Sequence, residues 1–289
     1  MELVAHKDAA TFLAHARVYL EEEQGAANHH IVQIAEAASR GSQFFVPPYF
    51  FWVLSENDEI TGVSAYANPD GLVLSAGISC SAASRLVESA YQAGCAVLRL
   101  VCDEEVVTSI RSKVDAMLGD ELDINGGWIV AQTDLIQDYT REVGDTVRLC
   151  TSEDRHTVLS WAELYQKEEP AFIDIPRFIE AKLQSKELFL LENQEVLAMA
   201  TISGRSKWGA RISSVFTPQQ HRQKGCAGYL VRMIANQMLE HGSRFVVLTY
   251  GRNSASGAIY ESVGFQPVCY RECLVSSNAQ KALEQNRVA

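Results

Sequence analysis

The stretch Ser213–Gly228, SSVFTPQQHRQKGCAG, decides how the rest of the chain is read. It has the form of a buried strand, a polar turn and the opening turn of a helix. The turn holds Arg222-Gln223-Lys224-Gly225-Cys226-Ala227, an Arg-x-x-Gly-x-Ala pattern. Gly225 and Ala227 carry almost no side chain, so a ligand can approach the backbone there. A helix start leaves about four N–H groups without intrahelical partners, and the helix dipole adds partial positive charge. Such a turn is suited to a diphosphate, with Arg222 and Lys224 adding two full charges. The plain alternative is a glycine turn with solvated basic residues beside it. The run is neither a Walker loop nor a dinucleotide fingerprint, since neither glycine pattern is present.

The residues after this turn narrow the reading. Ala227, Leu230, Val231, Ile234, Ala235 and Met238 recur on one face of a helix, and His241-Gly242 supplies a stop. Phe245 to Thr249 is a short apolar strand. Next comes Asn253-x6-Tyr260-x3-Gly264-Phe265, then a further strand over Pro267 to Val275 expected to close the sheet. With both motifs in this order, one helix and one strand apart, the chain resembles the GNAT superfamily of acetyl-coenzyme A-dependent N-acetyltransferases. The resemblance covers roughly residues 145–275; the C-terminal half is loosely similar to the glycine N-acyltransferase-like branch.

Composition bounds the remaining classes. A chain of 289 residues suggests two domains. No apolar run approaches the ~20 residues of a membrane span, and MELVAHKDAATF has no export pattern. Seven scattered cysteines without a Cys-x-x-Cys pair suggest a reducing compartment, so a cytoplasmic location is expected. Residues 1–140 hold seven Lys+Arg and twenty Asp+Glu, a net −13, whereas the remainder holds 18 and 16, a net +2. No basic face is evident, so no nucleic-acid partner is expected. No membrane partner and no metal are expected either; a homodimer is left open. His29-His30 are adjacent on an expected helix, about 100° apart, which argues against joint chelation; they read as cap or surface histidines.

The two halves repeat one element order. Val53 to Ile60 (VLSENDEI) lines up with Phe189 to Val196 (FLLENQEV), and Ala93 to Leu98 (AGCAVL) with His241 to Val246 (HGSRFV). In the first half helices are expected over 8–22, 28–39, 81–92 and 106–118, strands over 50–54, 60–67, 71–78, 96–102 and 126–132, and a connector over 43–49. In the second, helices are expected from Asp154 or Ser152 to about Gln166 and over 176–184, with strands over 146–150, 187–191, 196–203 and 211–217. The fold expected is α/β (α+β): two tandem GNAT-like units, each a mixed, mostly antiparallel twisted sheet flanked by helices. Residues 1–140 form a degenerate copy without the cofactor motif, and 141–289 the N-acetyltransferase domain, the last dozen residues being a polar tail.

The resemblance implies roles residue by residue. Acetyl-coenzyme A would be the co-substrate and a small-molecule amine the acceptor. The pantetheine arm would pair with Val215, Phe216 and Thr217, and the pyrophosphate would sit on N–H groups of Gln223, Lys224, Gly225, Cys226, Ala227 and Gly228, with Arg222 beside them. Asn253 would bond the arm, and Tyr260, an O–H donor, would protonate the leaving thiolate. Some members carry a Glu five residues before the Asn as general base; here that position is Leu248. Glu168, Glu169 and Asp174 border the expected acceptor site and are candidates for base or amine clamp, or form a solvated charge run. Cys226 at a helix start opens a covalent acetyl-cysteine route, disfavoured because its backbone would face phosphate. The alternative function is a non-catalytic acyl-coenzyme A sensor or interaction module.

Overall fold

The computed structural model describes residues 1–23, 25–41, 45–68, 70–119, 121–135, 138, 144–168 and 173–277. The chain divides into two compact units: Met1–Val130 together with the stretch from Cys269 on, and Ala131–Val268.

The first unit begins with strand β1 (Glu2–His6), helix α1 (Ala9–Val18), a wide turn Tyr19–Glu23, and α2 (His29–Arg40). Strands β2 (Val46–Glu56), β3 (Glu59–Asn68) and β4 (Gly71–Leu74) follow, then α3 (Cys80–Gln92), β5 (Arg99–Asp103), α4 (Glu104–Leu118) and β6 (Leu122–Thr133). The β2–β3 hairpin turns on Asn57 and Asp58, both at positive φ, a conformation that Asn and Asp tolerate better than other side chains. Apolar residues at helical spacing make α3 bury Ala82, Ala83, Leu86, Val87 and Ala90 against Trp52, Leu54, Leu72 and Leu100 of the sheet. Each such Leu contributes roughly 2 kcal/mol by leaving water.

In the second unit β7 (Thr146–Leu149) leads through a short turn, Ser152–Asp154, into α5 (Arg155–Glu168) and α6 (Ile175–Gln184). Then come β8 (Leu188–Asn193), β9 (Glu195–Arg205), β10 (Gly209–Phe216), α7 (Cys226–Glu240), β11 (Phe245–Gly251) and α8 (Ser256–Ser262). The cap before α5 is Thr151, in a capping box with Asp154, rather than Ser152 or Asp154 itself. Asp154 also takes a two-pronged bond from Arg148, at 2.7 and 2.9 Å. α7 buries Leu230, Val231, Ile234, Ala235 and Met238, as its periodicity requires.

The last strand, β12 (Gln266–Ser276), passes from the second unit into the first at Cys269. It pairs antiparallel with β5, Arg271 opposite Asp103 and Val275 opposite Arg99. The strand order in the first unit is thus β1-β2-β3-β4-β5-β12-β6, and in the second β11-β10-β9-β8-β7. Among the described pairings each is mixed and mostly antiparallel, with one parallel pair, β4–β5 and β10–β11 respectively.

Several expectations shift. β1 has no counterpart in the sequence reading. Residues 46–49 extend β2, although a connector was expected there. β4 ends at Leu74 and β5 starts only at Arg99, both shorter than their apolar runs. Pro267 to Val275 closes the first unit's sheet instead of the second's, because its hydrogen-bond partner is β5. His29 is buried, and His30 bonds Asp70 at 2.6 Å, so neither is a surface residue. The expected tail falls outside the described residues. Among the described residues no helix is long and apolar enough to cross a membrane, and no group of three or more His, Cys, Asp or Glu is placed to hold a metal.

Candidate active site

The second unit's parallel pair is open at one end. Its register runs from Gly209 opposite Phe245 to Arg211 opposite Val247. Beyond that, residues 212–216 of β10 and 248–251 of β11 continue without pairing to each other. On the other side β10 stays on β9 but carries a bulge: Ser213 lies opposite Thr201 and Phe216 opposite Met199, with Ser214 at φ 48°. A bulge re-aims the backbone and is common beside functional sites. Val215 is half-buried and Phe216 buried on this segment, and Thr217 follows it.

The turn after β10 brings the chain round to α7. Gln219–His221 make a tight turn, Gln223 takes φ 60°, and Gly225 is the α7 cap at φ 75°. That left-handed cap favours glycine. Gly225 has no side-chain oxygen to spend on the first N–H groups of α7, and no capping bond is made. The carbonyl of Gly225 accepts from Tyr229 N at 3.0 Å, so the helix is regular from its first turn. Lys224 is exposed, Ala227 half-buried and Gly228 buried. A Cβ on Gly228 would stand 3.2 and 3.3 Å from Val263 and Ile259, so this glycine lets the end of α8 approach α7.

The turn fits a diphosphate by two observations of its own. Gly225 puts no side-chain oxygen on the N–H end of α7, and the Thr217 Oγ1, at the end of the strand that feeds the turn, is buried without a hydrogen-bond partner, a condition that costs free energy. Arg222 differs from expectation. Its Nε donates to the Thr217 carbonyl at 2.8 Å, its Nη2 to Glu168 at 2.5 Å, and its guanidinium lies 5.7 Å from the Phe216 ring centre. Its charge is already answered by a carboxylate. Cys226 is buried, and its thiol donates to the His221 carbonyl at 3.4 Å, which leaves it placed for packing rather than for acyl transfer.

On α8, Tyr260 is buried between the rings of Tyr250 and Phe265, at 5.9 and 6.5 Å. Asn253 lies exposed on the turn between β11 and α8. The sequence reading missed Tyr250. Its hydroxyl donates to Glu261 at 2.9 Å, and burial and that carboxylate push the phenol up to about 12. It therefore holds its proton at neutral pH and is no general base. Gly257, where a Cβ would stand 2.6 Å from the Tyr250 ring, lets that ring pack against α8, a relation that the sequence does not display. Leu248, at the position where a Glu would be a base, is 2% exposed within the core. Asp174 caps α6 by accepting from Arg177 N at 3.0 Å. Glu169 lies outside the described residues. Trp161 and Tyr165 of α5 pack on Phe216 at 6.1 and 5.9 Å, an aromatic wall that helical spacing alone did not assign to the site.

A model of FR47-like proteins matches residues 190–274, which hold β10, the turn, Asn253 and Tyr260. Among solved structures, a Drosophila protein aligns at TM-score 0.64 and 10% identity, over 94% of this chain and 98% of its own. A GCN5-related N-acetyltransferase from Sphaerobacter thermophilus aligns at 0.58 and 14%, over 94% of each chain. A tandem GNAT protein from the clavulanic acid biosynthesis pathway, solved without AcCoA, aligns at 0.56 and 13%, over 94% and 98%. At such identities the likeness is one of fold. No curated protein matches the chain in sequence.

Proposed function

We propose that the second unit, part of which matches a model of FR47-like proteins and which shares its fold with a tandem GNAT protein, is an acyl-coenzyme A-dependent N-acyltransferase. Acetyl is the group transferred and a small primary amine the acceptor. The observation that carries this reading is the left-handed Gly225 cap of α7, which makes no side-chain capping bond, set beside the end of β10 that has parted from β11.

When bound, acetyl-coenzyme A supplies an activated thioester. The first N–H groups of α7 and the Thr217 hydroxyl would hold its diphosphate, and Val215 to Thr217 its arm. The bulged backbone at Ser214 and Val215 offers N–H groups for a carbonyl oxygen on which charge builds, the kind of stabilisation that dominates acyl transfer. Tyr260 is the candidate proton donor to the departing sulfur. The acceptor amine, with an ordinary pKa near 10, must lose a proton. Leu248 cannot take it, Tyr250 stays protonated, and Asp174 is engaged as a cap, so water at the open end of the strands is the proposed carrier.

A thiol-release assay with acetyl-coenzyme A and a panel of small amines tests the reading. Turnover that falls by roughly a hundredfold in Tyr260→Phe, in line with loss of one general acid, supports it. Binding of coenzyme A with no turnover on any amine would instead leave the sensor or interaction module, which the apolar Leu248 favours.

A further inference from the structure

Arg222 is held by three contacts of unequal kind. Its Nε–H is tied to a backbone carbonyl, Thr217 O at 2.8 Å, and its flat face lies 5.7 Å from the Phe216 ring centre. Both are fixed parts of the strand end. The third contact, Nη2 to Glu168 Oε2 at 2.5 Å, joins the turn to the last residue of α5. The two side chains of that ion pair are 42% and 47% exposed. Exposed pairs are worth only about 0–1 kcal/mol, so a multivalent anion arriving at the turn can displace the carboxylate while the guanidinium stays in place. The Thr217 hydroxyl, on the residue whose carbonyl anchors Arg222, is buried without a hydrogen-bond partner. Glu168 sits on the helix whose Trp161 and Tyr165 pack against Phe216, so its backbone does not move off when the pair opens.

We infer that Arg222 and Glu168 are an exchange pair that couples two sites. A diphosphate in the turn takes Arg222, and the released Glu168 carboxylate holds the cationic form of the acceptor amine close to the strand opening. This rests on the acyltransferase reading for the identity of both ligands, but the competition for Arg222 stands on the ion pair itself. Coupling between binding sites is reciprocal. An amine on Glu168 therefore also frees Arg222 for the anion, and each ligand tightens the other. Glu168 acts here as a binding and positioning residue, not as the group that takes the proton.

The test is titration calorimetry on the full chain with coenzyme A and, separately, with inorganic pyrophosphate. Glu168→Gln removes the competitor, so both anions are expected to bind about two- to tenfold more tightly. Arg222→Gln weakens both by about tenfold, and in that background Glu168→Gln has no further effect. In the amine assay Glu168→Gln raises the KM for the amine with little change in kcat, which loss of packing alone would not produce. Unchanged or weaker coenzyme A binding in Glu168→Gln, with the wild type binding normally, overturns the exchange and leaves the acyltransferase reading intact. Wild type that ignores coenzyme A overturns the acyltransferase reading. The pyrophosphate titration then decides the pair: tighter binding in Glu168→Gln supports exchange, and equal or absent binding ends it.

Discussion

Each unit contains one parallel strand pair followed by a helix, and the two pairs have opposite fates. In the second unit β10 and β11 part after Arg211 and Val247, and the cap of the helix that follows β10, Gly225, makes no side-chain bond. In the first unit β4 and β5 pair only at Leu72–Leu100 and Val73–Val101. There Arg271, from β12, donates to the carbonyls of both Leu74 and Val101 and to Asp103 at 2.6 Å, stitching the strands where they would separate. The helix after β4 is also closed, because Ser79 caps α3 by accepting from Ala82 N at 3.2 Å, and Asp103 accepts from Gly77 N at 2.7 Å. The same architecture holds its strand ends together in one unit and lets them part in the other. We propose on these grounds that the first unit, which lacks an Arg-x-x-Gly-x-Ala turn, is a structural copy.

The comparison breaks most visibly at Arg271, which is 3% exposed. Arg271→Met leaves Asp103 and two carbonyls without their donor and is expected to cost about 3–5 kcal/mol in urea unfolding, as the loss of one partner of a buried pair does. A change under 1 kcal/mol would mean that the stitch is incidental. Next in size, Gly225→Glu puts a charge and a strained left-handed residue at the bare helix start. Coenzyme A binding should fall at least tenfold, about 1.4 kcal/mol, and equal affinity by calorimetry would misplace the site. Ser79→Ala should cost about 1 kcal/mol as a lost cap, while coenzyme A stoichiometry stays at one per chain. A second binding event would show that the cap alone kept the first unit closed. The smallest effect belongs to Tyr250→Phe, about 0.5–1 kcal/mol at neutral pH, since Glu261 is exposed. The Tyr250 phenol is raised from 10 to about 12 in the fold. Its contribution is whole below pH 10 and is lost as pH rises toward 12. The stability gap between wild type and Tyr250→Phe should therefore narrow over that interval, and a constant gap would deny the shift.

Where the sequence could be read, the reason was local. Gly225 was visible because a left-handed cap leaves few other choices, and α7 because its apolar face repeats over more than three turns. The tandem showed in the recurrence of VLSENDEI as FLLENQEV. The features that escaped were non-local or backbone-borne. The strand at 267–275 announces itself by composition, but nothing in alternation says which neighbour it pairs with, so its return to β5 was invisible. Ser214 and Gln223 adopt positive φ without being Gly or Asn, so neither the bulge nor the second left-handed step of the turn had a signature. The Arg222–Glu168 contact spans 54 positions, and two charges that far apart in sequence give no sign that they will neutralise each other.

The passage of β12 into the first unit also sets a schedule for synthesis. Residues 1–130 leave the ribosome early, yet the strand that lies between β5 and β6 is encoded from residue 266 on. At about 5–20 residues per second, the nascent first half waits on the order of 10–30 s with the edge of β5 exposed. During that interval the intervening half has time to fold first.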